Sequence, residues 1–182
     1  MSKPNAIAVF CGARSGAKHQ WKELAFDLGT EIAKRGITLV YGGGKVGLMG
    51  ELAKGARESG GKIIGVIPTF LSTVEIKDTE VAELIEVKDM SERKTVLEQK
   101  ADAFAILPGG IGTLDEFSEM ITGFQLDMHA KPTYIINEHN FYDGLIKQLK
   151  TYLDEGFIDE KTYQSLKIFP TLNDFAKFLD SI

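Results

Sequence analysis

Two short segments of this sequence combine residue types that bind anions and move protons. The first, residues 107–116, reads Leu-Pro-Gly-Gly-Ile-Gly-Thr-Leu-Asp-Glu, so an apolar strand pattern gives way to glycines and then to a helical pattern. Unpaired backbone N–H groups at such a helix start, together with the helix dipole, favour a bound anion. Thr113 and Glu116 also have the spacing of a capping box, which stabilises a helix without any catalytic role. Taken alone, the local pattern leaves both interpretations open.

The second segment, residues 89–94, reads Asp-Met-Ser-Glu-Arg-Lys and begins the preceding helix, with Asp89 or Ser91 as its cap. Arg93 and Lys94 then lie near the positive end of a helix dipole, which costs up to about 1 kcal/mol unless an anion offsets it. The alternative is that both side chains face solvent and pair with neighbouring glutamates. Arg14 follows another predicted strand, and this coincidence favours an anionic ligand.

A third loop, residues 41–50, contains Gly42, Gly44 and Gly47 in the spacing G-x-G-x-x-G. A dinucleotide fingerprint follows the first strand and is answered by an acidic residue about twenty positions later. Here the loop follows the second strand and that acidic residue is missing, which disfavours a nicotinamide-dependent oxidoreductase. Gly43, Gly44 and Lys45 remain candidates for phosphate binding, and a glycine turn needed only for helix packing is the structural alternative.

Other chemistries find little support in the sequence. Cys11 is the only cysteine, and a buried strand-end residue is a better interpretation of it than a nucleophile. His19, His129 and His139 are scattered, with no metal-ligand spacing. We therefore expect no catalytic metal and no organic cofactor.

Length, composition and charge narrow the class of protein. The chain has 182 residues, of which 43% are hydrophobic and 26% charged, as expected for one folded domain over residues 1–182. The apolar run Ala103–Leu107 is far shorter than a membrane-spanning helix. The net charge of −5 disfavours binding to long nucleic acids. No secretory signal pattern precedes the first predicted strand, so we expect a cytoplasmic location.

Short β-branched runs alternate with longer helical patterns along the chain. This alternation predicts an α/β fold, namely a Rossmann-like, doubly wound parallel sheet flanked by helices, with its ligand beyond the carboxyl ends of the strands. The expected strands are 7–10, 37–41, 62–67, 83–87, 103–107 and 133–136. The expected helices are about 18–35, 46–59, 90–101, 112–128, 141–154 and 172–181. Two helices carry apolar stripes at core-facing spacing, formed by Leu24, Leu28 and Ile32 and by Leu114, Phe117, Ile121 and Phe124.

The first two segments together resemble the hallmarks of the Lonely Guy phosphoribohydrolases, a family whose members were long labelled lysine decarboxylases. Its Pro-Gly-Gly-x-Gly-Thr-x-x-Glu motif is complete at residues 108–116. The Arg93-Lys94 pair begins twenty-three residues before Glu116 (116 − 93 = 23). Further similar stretches lie at residues 9–12, 41–50, 65–68 and 125–132, so the resemblance covers nearly the whole chain.

The resemblance implies hydrolysis of the N-glycosidic bond of a nucleoside 5′-monophosphate, such as AMP or a cytokinin riboside 5′-monophosphate. The products are the free base and ribose 5-phosphate. It also implies a homodimer with sites near the subunit interface. Arg93 and Glu116 match the catalytic pair of the family. The positions matching its nucleotide contacts are Glu75, Lys94, Gly109, Gly110, Ile111, Gly112, Thr113 and Thr122.

Two positions depart from the family pattern. Arg14 lies where relatives carry serine, and Gly123 lies where many relatives carry tryptophan, so the preferred base is left open. A different class of function, a nucleotide-binding or sensing protein without hydrolysis, is the alternative. The intact Arg93 and Glu116 disfavour it, because a binding protein has less need of both residues.

Overall fold

The computed structural model describes residues 3–72 and 77–182 and places seven parallel strands in one sheet. The strands are β1 (Ala6–Phe10), β2 (Thr38–Tyr41), β3 (Ile63–Pro68), β4 (Glu83–Val87), β5 (Ala103–Ile106), β6 (Thr133–Ile136) and β7 (Leu166–Phe169). The helices are α1 (Gln20–Lys34), α2 (Gly47–Glu58), α3 (Met90–Gln99), α4 (Ile111–Gln125), α5 (Asp143–Asp154), α6 (Glu160–Ser165) and α7 (Leu172–Asp180). A short 3₁₀ turn, Glu138–Asn140, precedes α5.

The strand order β4-β3-β2-β1-β5-β6-β7 makes the sheet doubly wound. The chain builds outward from β1 in one direction as far as β4, then crosses back through α3 to place β5 on the other side of β1. The helices α1, α2 and α7 cover one face, and α3, α4 and α5 cover the other. The order reverses between β1 and β5, and ligands in such folds bind at that point beyond the carboxyl ends of the strands.

The predicted fold class is confirmed, and each expected element is found with small shifts at its ends. The sequence pattern does not predict β7 or α6, because runs of four and six residues are too short for a clear periodicity. One detail of the predicted helix stripes is wrong. Leu114 is 41% exposed, whereas Phe117 and Ile121 on the same helix are buried as expected.

Hydrophobic burial and local caps explain where these elements form. The central strands β1, β2 and β5 are almost wholly buried, as expected for parallel strands covered on both faces. Asp89, one of the two predicted caps, accepts a 2.9 Å hydrogen bond from the Glu92 N–H and so starts α3. The cap fixes the first turn of α3, from which Arg93 projects.

The helices α1 and α2 contact each other backbone to backbone. A Cβ atom at Gly29 would lie 2.0 Å from the Leu52 carbonyl oxygen, and one at Gly55 would lie 2.0 Å from the Phe26 carbonyl oxygen. These glycines therefore let α2 approach α1 closely. The approach fixes α2, whose first residue, Gly47, borders the loop after β1.

We expect the substitution Gly29→Ala to lower the free energy of unfolding by about 1–3 kcal/mol, because the added methyl group overpacks this contact. Gly144→Ala is the matched control, since a Cβ at Gly144 in α5 meets nothing within 4 Å. The control should leave stability unchanged or raise it slightly. Urea denaturation measures both variants, and equal midpoints would contradict the close contact.

Candidate active site

The loops after β1, β2 and β5 meet at the point where the strand order reverses. The Gly12 N–H donates to the Pro108 carbonyl oxygen at 3.1 Å, which joins the first loop to the last. The Leu48 N–H donates to the Gly12 carbonyl oxygen at 3.1 Å, which joins the first loop to the start of α2. Gly47 has φ +66°, and a Cβ there would lie 2.2 Å from the Ala13 carbonyl oxygen. Only glycine fits this junction.

Arg93 reaches from α3 into this junction and is 6% exposed. Its Nη2 donates a 3.1 Å hydrogen bond to the Gly42 carbonyl oxygen after β2. A Cβ atom at Gly42 would lie 2.0 Å from that nitrogen, so glycine is required for the guanidinium to lie there. The buried Nε has no hydrogen-bond partner among residues 3–72 and 77–182. The solvent-facing alternative for Arg93 is therefore wrong.

Glu116 lies in the second turn of α4 and is 7% exposed. Both Glu116 and Arg93 act electrostatically on the Cys11 thiol, so the carboxylate and the guanidinium lie close to the same strand end. Removing two charges from water is costly, and opposite charges in one region offset part of that cost. The arrangement supplies a buried carboxylate and a buried cation beside the glycine loop.

The glycine loop, residues 108–112, leads into α4 with Gly110 as the N-cap residue. Leu114 N–H donates to the Gly110 carbonyl oxygen, which leaves the N–H groups of residues 111–113 outside the hydrogen-bond pattern of the helix. A Cβ at Gly109 would lie 2.1 Å from Thr113 Oγ1, whereas one at Gly110 or Gly112 meets nothing within 4 Å. The start of α4 is thus open to a ligand.

The capping-box alternative is wrong. Because Gly110 is the N-cap residue, Thr113 occupies the third helical position and cannot act as the cap. Thr113 is buried beneath Gly109, and the side chain of Ile111 is 82% exposed. Thr113 and Glu116 are thus two buried polar residues on the inner side of α4.

Lys94 points away from Arg93 and contacts the outer side of α4. Its Nζ lies 3.1 Å from Asp115 Oδ2 and also pairs with Glu119. The carboxylates of Glu119 and Asp115 raise the pKa of Lys94, so it stays charged. The structure therefore joins α3 to α4 through Lys94, with acidic partners other than the neighbouring glutamates of its own helix.

The loop after β2 is anchored by Asp78, which the sequence analysis did not identify. Asp78 is 1% exposed, and its Oδ2 lies 2.5 Å from Nη2 of Arg57 and 3.2 Å from the Tyr41 hydroxyl. Its N–H donates to the Gly43 carbonyl oxygen at 3.0 Å. A lone aspartate outside any motif gives no sequence signal, although it fixes the loop that receives Arg93.

The remaining predicted residues lie away from Arg93, Glu116 and the glycine loop, or outside the described residues. Gly44 pairs with Lys77, and Lys45 forms a 3.5 Å ion pair with Glu80, so this part of the loop faces the segment after residue 76. Thr122 is exposed on α4. Glu75 lies outside the described residues.

Gly123, the second departure from the family pattern, is buried against His129. A Cβ at Gly123 would lie 3.0 Å from His129 Nε2. A larger side chain there therefore requires His129 to move.

Within the described parts of the chain, no group of three or more histidine, cysteine, aspartate or glutamate residues could hold a metal ion. In those same parts, no helix is both long and apolar enough to cross a bilayer.

Cys11 directly follows β1, and its thiol is buried near Arg93 and Glu116. Burial raises its pKa, the charge of Glu116 raises it further, and Arg93 lowers it. A thiol that stays protonated is a poor nucleophile, which favours the interpretation of Cys11 as a buried strand-end residue.

Comparison with known proteins gives relatives in sequence and in structure. Residues 49–179 match a family model described as "Possible lysine decarboxylase". A probable cytokinin riboside 5′-monophosphate phosphoribohydrolase of Oryza sativa subsp. japonica, LOGL9, is 44% identical over 157 residues, which is 86% of this chain and 69% of the relative. The Arabidopsis thaliana cytokinin riboside 5′-monophosphate phosphoribohydrolase LOG4 is 40% identical over 179 residues, or 98% of this chain and 83% of the relative.

Among solved structures, the molybdenum cofactor carrier protein of Chlamydomonas reinhardtii is similar with a TM-score of 0.74 and 22% identity, covering 97% of this chain and 96% of that one. The molybdenum cofactor binding protein of Rippkaea orientalis is similar with a TM-score of 0.73 and 23% identity, and the match covers 100% of this chain and 98% of that one. At these identities the likeness shows the fold alone.

The raised pKa of Cys11 predicts a loss of stability in alkali. The pKa of this thiol is higher in the folded protein than in the unfolded chain, where it is about 8.5. The protonated thiol therefore contributes its full share of the free energy of unfolding below about pH 8.5, and this share is lost as the pH rises above that value. Between pH 7.5 and 10 we expect the free energy of unfolding to fall by about 2 kcal/mol more for the wild type than for Cys11→Ala. Urea denaturation at the two pH values measures this difference, and equal losses would show that the thiol is not protected.

Proposed function

The chain belongs to the Lonely Guy family of phosphoribohydrolases, and we propose that it cleaves nucleoside 5′-monophosphates at the cluster formed by Arg93, Glu116 and the glycine loop. The activity is hydrolysis of the N-glycosidic bond, as the names of its relatives indicate. One observation carries the assignment to this site. A buried carboxylate, a buried guanidinium and an open helix start are brought together where the strand order reverses.

The 5′-phosphate is proposed to bind the N–H groups of Gly110, Gly112 and Thr113, a set that we call the phosphate seat. The helix dipole of α4 favours a dianion there, and the open space at Gly110 and Gly112 lets it approach the backbone closely. Binding energy from the phosphate then orients the ribose at the reacting bond. Gly109 has no side chain and therefore leaves room for the Thr113 side chain beneath the phosphate seat.

Glu116 is proposed to act at the sugar. When the C1′–N bond breaks, its electron pair leaves with the base and positive charge develops on the ribose, which a carboxylate stabilises. The same carboxylate orients water and accepts its proton as the new C1′–O bond forms. The proton is then available to the departing base, so the products are free base and ribose 5-phosphate.

Arg93 is proposed to bind the phosphate or ribose side of the substrate through its Nε, which has no partner in the described parts of the chain. One Nη nitrogen already donates to the Gly42 carbonyl oxygen, which fixes the orientation of the guanidinium. A fixed, charged donor forms stronger hydrogen bonds than a neutral one. Its positive charge also favours the ionised form of a nearby carboxylate.

The decarboxylase description of the family model is not supported by the lysine beside the site. A Schiff base requires a neutral amine with a lowered pKa. The pKa of Lys94 is raised by Glu119 and Asp115 instead. We propose that Lys94 holds α3 against α4 and so keeps Arg93 near the glycine loop.

We further propose a homodimer formed through the outer face of α4 and the turn that follows it, a surface that includes the apolar residues Ile111, Leu114, Leu126 and Met128. These side chains are 41–82% exposed, and an interface would remove their apolar surface from water. At 3.6 residues per turn, Thr122 lies about 20° around the helix from Ile111 but about 120° from Glu116. Thr122 thus faces away from the site of its own chain, and its match to a nucleotide contact of the family fits a position at a subunit interface.

We also propose that residues 1–182 form a single domain and that the protein is cytoplasmic, as the sequence predicts. The proposed substrates are AMP or a cytokinin riboside 5′-monophosphate. A protein that binds the nucleotide without hydrolysis would require the same phosphate seat but not the buried carboxylate.

The first test compares wild type, Glu116→Gln and Glu119→Gln with AMP, its isopentenyl derivative, GMP and CMP. Chromatography measures the free base, and ribose 5-phosphate is assayed in parallel. We expect equal amounts of the two products from wild type and a loss of about 10³-fold in Glu116→Gln, because the group that accepts the proton is removed. The rank of the four nucleotides gives the base preference.

Glu119→Gln is the matched control, because Glu119 lies one turn further along α4 and pairs with Lys94 outside the buried cluster. It should retain at least about a third of the activity, since Lys94 keeps its 3.1 Å ion pair with Asp115 and so still joins α3 to α4. Thermal stabilisation by AMP without any release of base from wild type would support the binding protein instead.

The second test changes the proposed interface. Leu126→Asp should weaken self-association by at least about thirtyfold, or about 2 kcal/mol, because a carboxylate replaces an apolar side chain at the proposed interface. Analytical ultracentrifugation over a range of concentrations measures the change. Phe157→Asp is the control, because Phe157 is 75% exposed in the segment after α5. A monomeric wild type, or equal sedimentation of wild type and Leu126→Asp, would reject the α4 interface.

A further inference from the structure

Tyr142 has a buried hydroxyl that the proposed reaction does not use. The residue lies between the 3₁₀ turn Glu138–Asn140 and α5 and is 9% exposed. Its hydroxyl donates a 2.6 Å hydrogen bond to the carbonyl oxygen of Leu107. Leu107 is the last residue before the glycine loop, so this bond crosses from the end of β6 to the segment that starts the phosphate seat.

We propose that Tyr142 is a positioning residue that holds the glycine loop in the orientation needed for the 5′-phosphate. The inference rests on the proposed function, since it names the residue that aligns the seat of that same site. Tyr142 itself does not need to touch the nucleotide. It acts through the Leu107–Pro108 peptide, and its effect is therefore on binding and orientation.

The Leu107–Pro108 segment is attached on the other side by β1 and its loop. The Leu107 N–H donates to the Phe10 carbonyl oxygen at 3.0 Å, and the Pro108 carbonyl oxygen accepts from the Gly12 N–H at 3.1 Å. Pro108 has no N–H, and it restricts Leu107 to an extended conformation. The Tyr142 hydroxyl donates to the Leu107 carbonyl oxygen from the segment that follows β6. The segment is therefore held from the β1 side and from the β6 side.

The position of Tyr142 is itself fixed by a polar network that runs from the buried Asn137 to Asp143 at the surface. Its N–H donates to Asn137 Oδ1 at 2.7 Å, and Asn137 Nδ2 donates to Asp143 Oδ1 at 2.8 Å. The Phe141 ring meets the Tyr142 ring edge to face at 4.8 Å and also packs against Trp21 of α1 at 5.4 Å. Few rotamers are open to a tyrosine held in this way, so its hydroxyl is a fixed donor.

The hydroxyl remains a donor over the working range of pH. Burial raises the pKa of Tyr142, and the neighbouring Cys11 raises it further. The phenol therefore stays protonated and keeps its bond to Leu107. A backbone carbonyl buried without a partner is unfavourable, so loss of the donor is expected to rotate this peptide rather than leave it in place.

The test is the substitution Tyr142→Phe, which removes the donor and keeps the ring. We expect the Kd for AMP, measured by calorimetry in the Glu116→Gln background, to rise about tenfold. In the catalytically intact background, kcat/KM for AMP should fall by about tenfold or more. Amide hydrogen exchange of Gly12 should become faster, because its N–H donates to the Pro108 carbonyl oxygen in the segment that loses a support.

Tyr152→Phe is the matched control, since Tyr152 is 41% exposed on α5. It should leave the Kd, kcat/KM and Gly12 exchange at wild-type values. If Tyr142→Phe lowers only the melting temperature while Kd and kcat/KM match wild type, Tyr142 is a purely structural residue and the proposal is wrong. The Kd comparison decides this even if wild type releases no base, so failure of the hydrolase assignment remains a separate result.

Should Tyr142→Phe not fold, Asp143→Ala replaces it. Asp143 is exposed, and its carboxylate accepts the hydrogen bond from Asn137 that ends the same network. We expect a rise of about threefold in the Kd for AMP, smaller because Tyr142 keeps its hydroxyl. An unchanged Kd in this variant would overturn the proposal.

Discussion

Burying the Arg93 guanidinium removes a full charge from water, and the surrounding structure is organised to offset that cost. The Gly42 carbonyl accepts one of its hydrogen bonds, and the absence of a Cβ at Gly42 makes room for it. Asp78 in turn fixes the loop that contains Gly42 through the neighbouring Gly43 carbonyl. Glu116 supplies a negative charge in the same buried region. Among residues 3–72 and 77–182 the Arg93 Nε has no hydrogen-bond partner, which favours a binding role over a purely stabilising one.

Buried polar residues are concentrated where the fold is expected to act. Among the described residues, five of the seven buried polar side chains lie on or beside the loops at the carboxyl ends of the strands, namely Asp78, Arg93, Thr113, Glu116 and Asn137. The other two are Thr133, which begins β6, and Thr162 in α6. Each of these polar groups is costly unless it is paired, so their concentration at one edge of the sheet reflects function more than stability. The doubly wound topology provides this edge, because the chain leaves β1 and β5 in opposite directions.

The comparisons separate what the fold shows from what the residues show. Proteins that carry molybdenum cofactor have the same fold at 22–23% identity, and this similarity by itself indicates no activity. The relatives at 40–44% identity are named as phosphoribohydrolases. The family is therefore assigned from these relatives, and the geometry places the candidate site residues in different surroundings. Arg93 and Glu116 face inward, Lys94 joins two helices, and Thr122 lies on an outer face.

The sequence by itself determined the fold class, because strand periodicity and helix caps are local and survive in a linear pattern. It also predicted a phosphate-binding loop from glycine spacing, and a catalytic pair from the resemblance to a family. It did not determine that Gly110 rather than the neighbouring threonine caps α4, or that Leu114 is exposed, since both depend on how the helix is placed on the sheet. Asp78 and Tyr142 gave no local signal. Their roles come from contacts with residues 35 positions away, Gly43 for Asp78 and Leu107 for Tyr142, and only the tertiary structure brings such residues together.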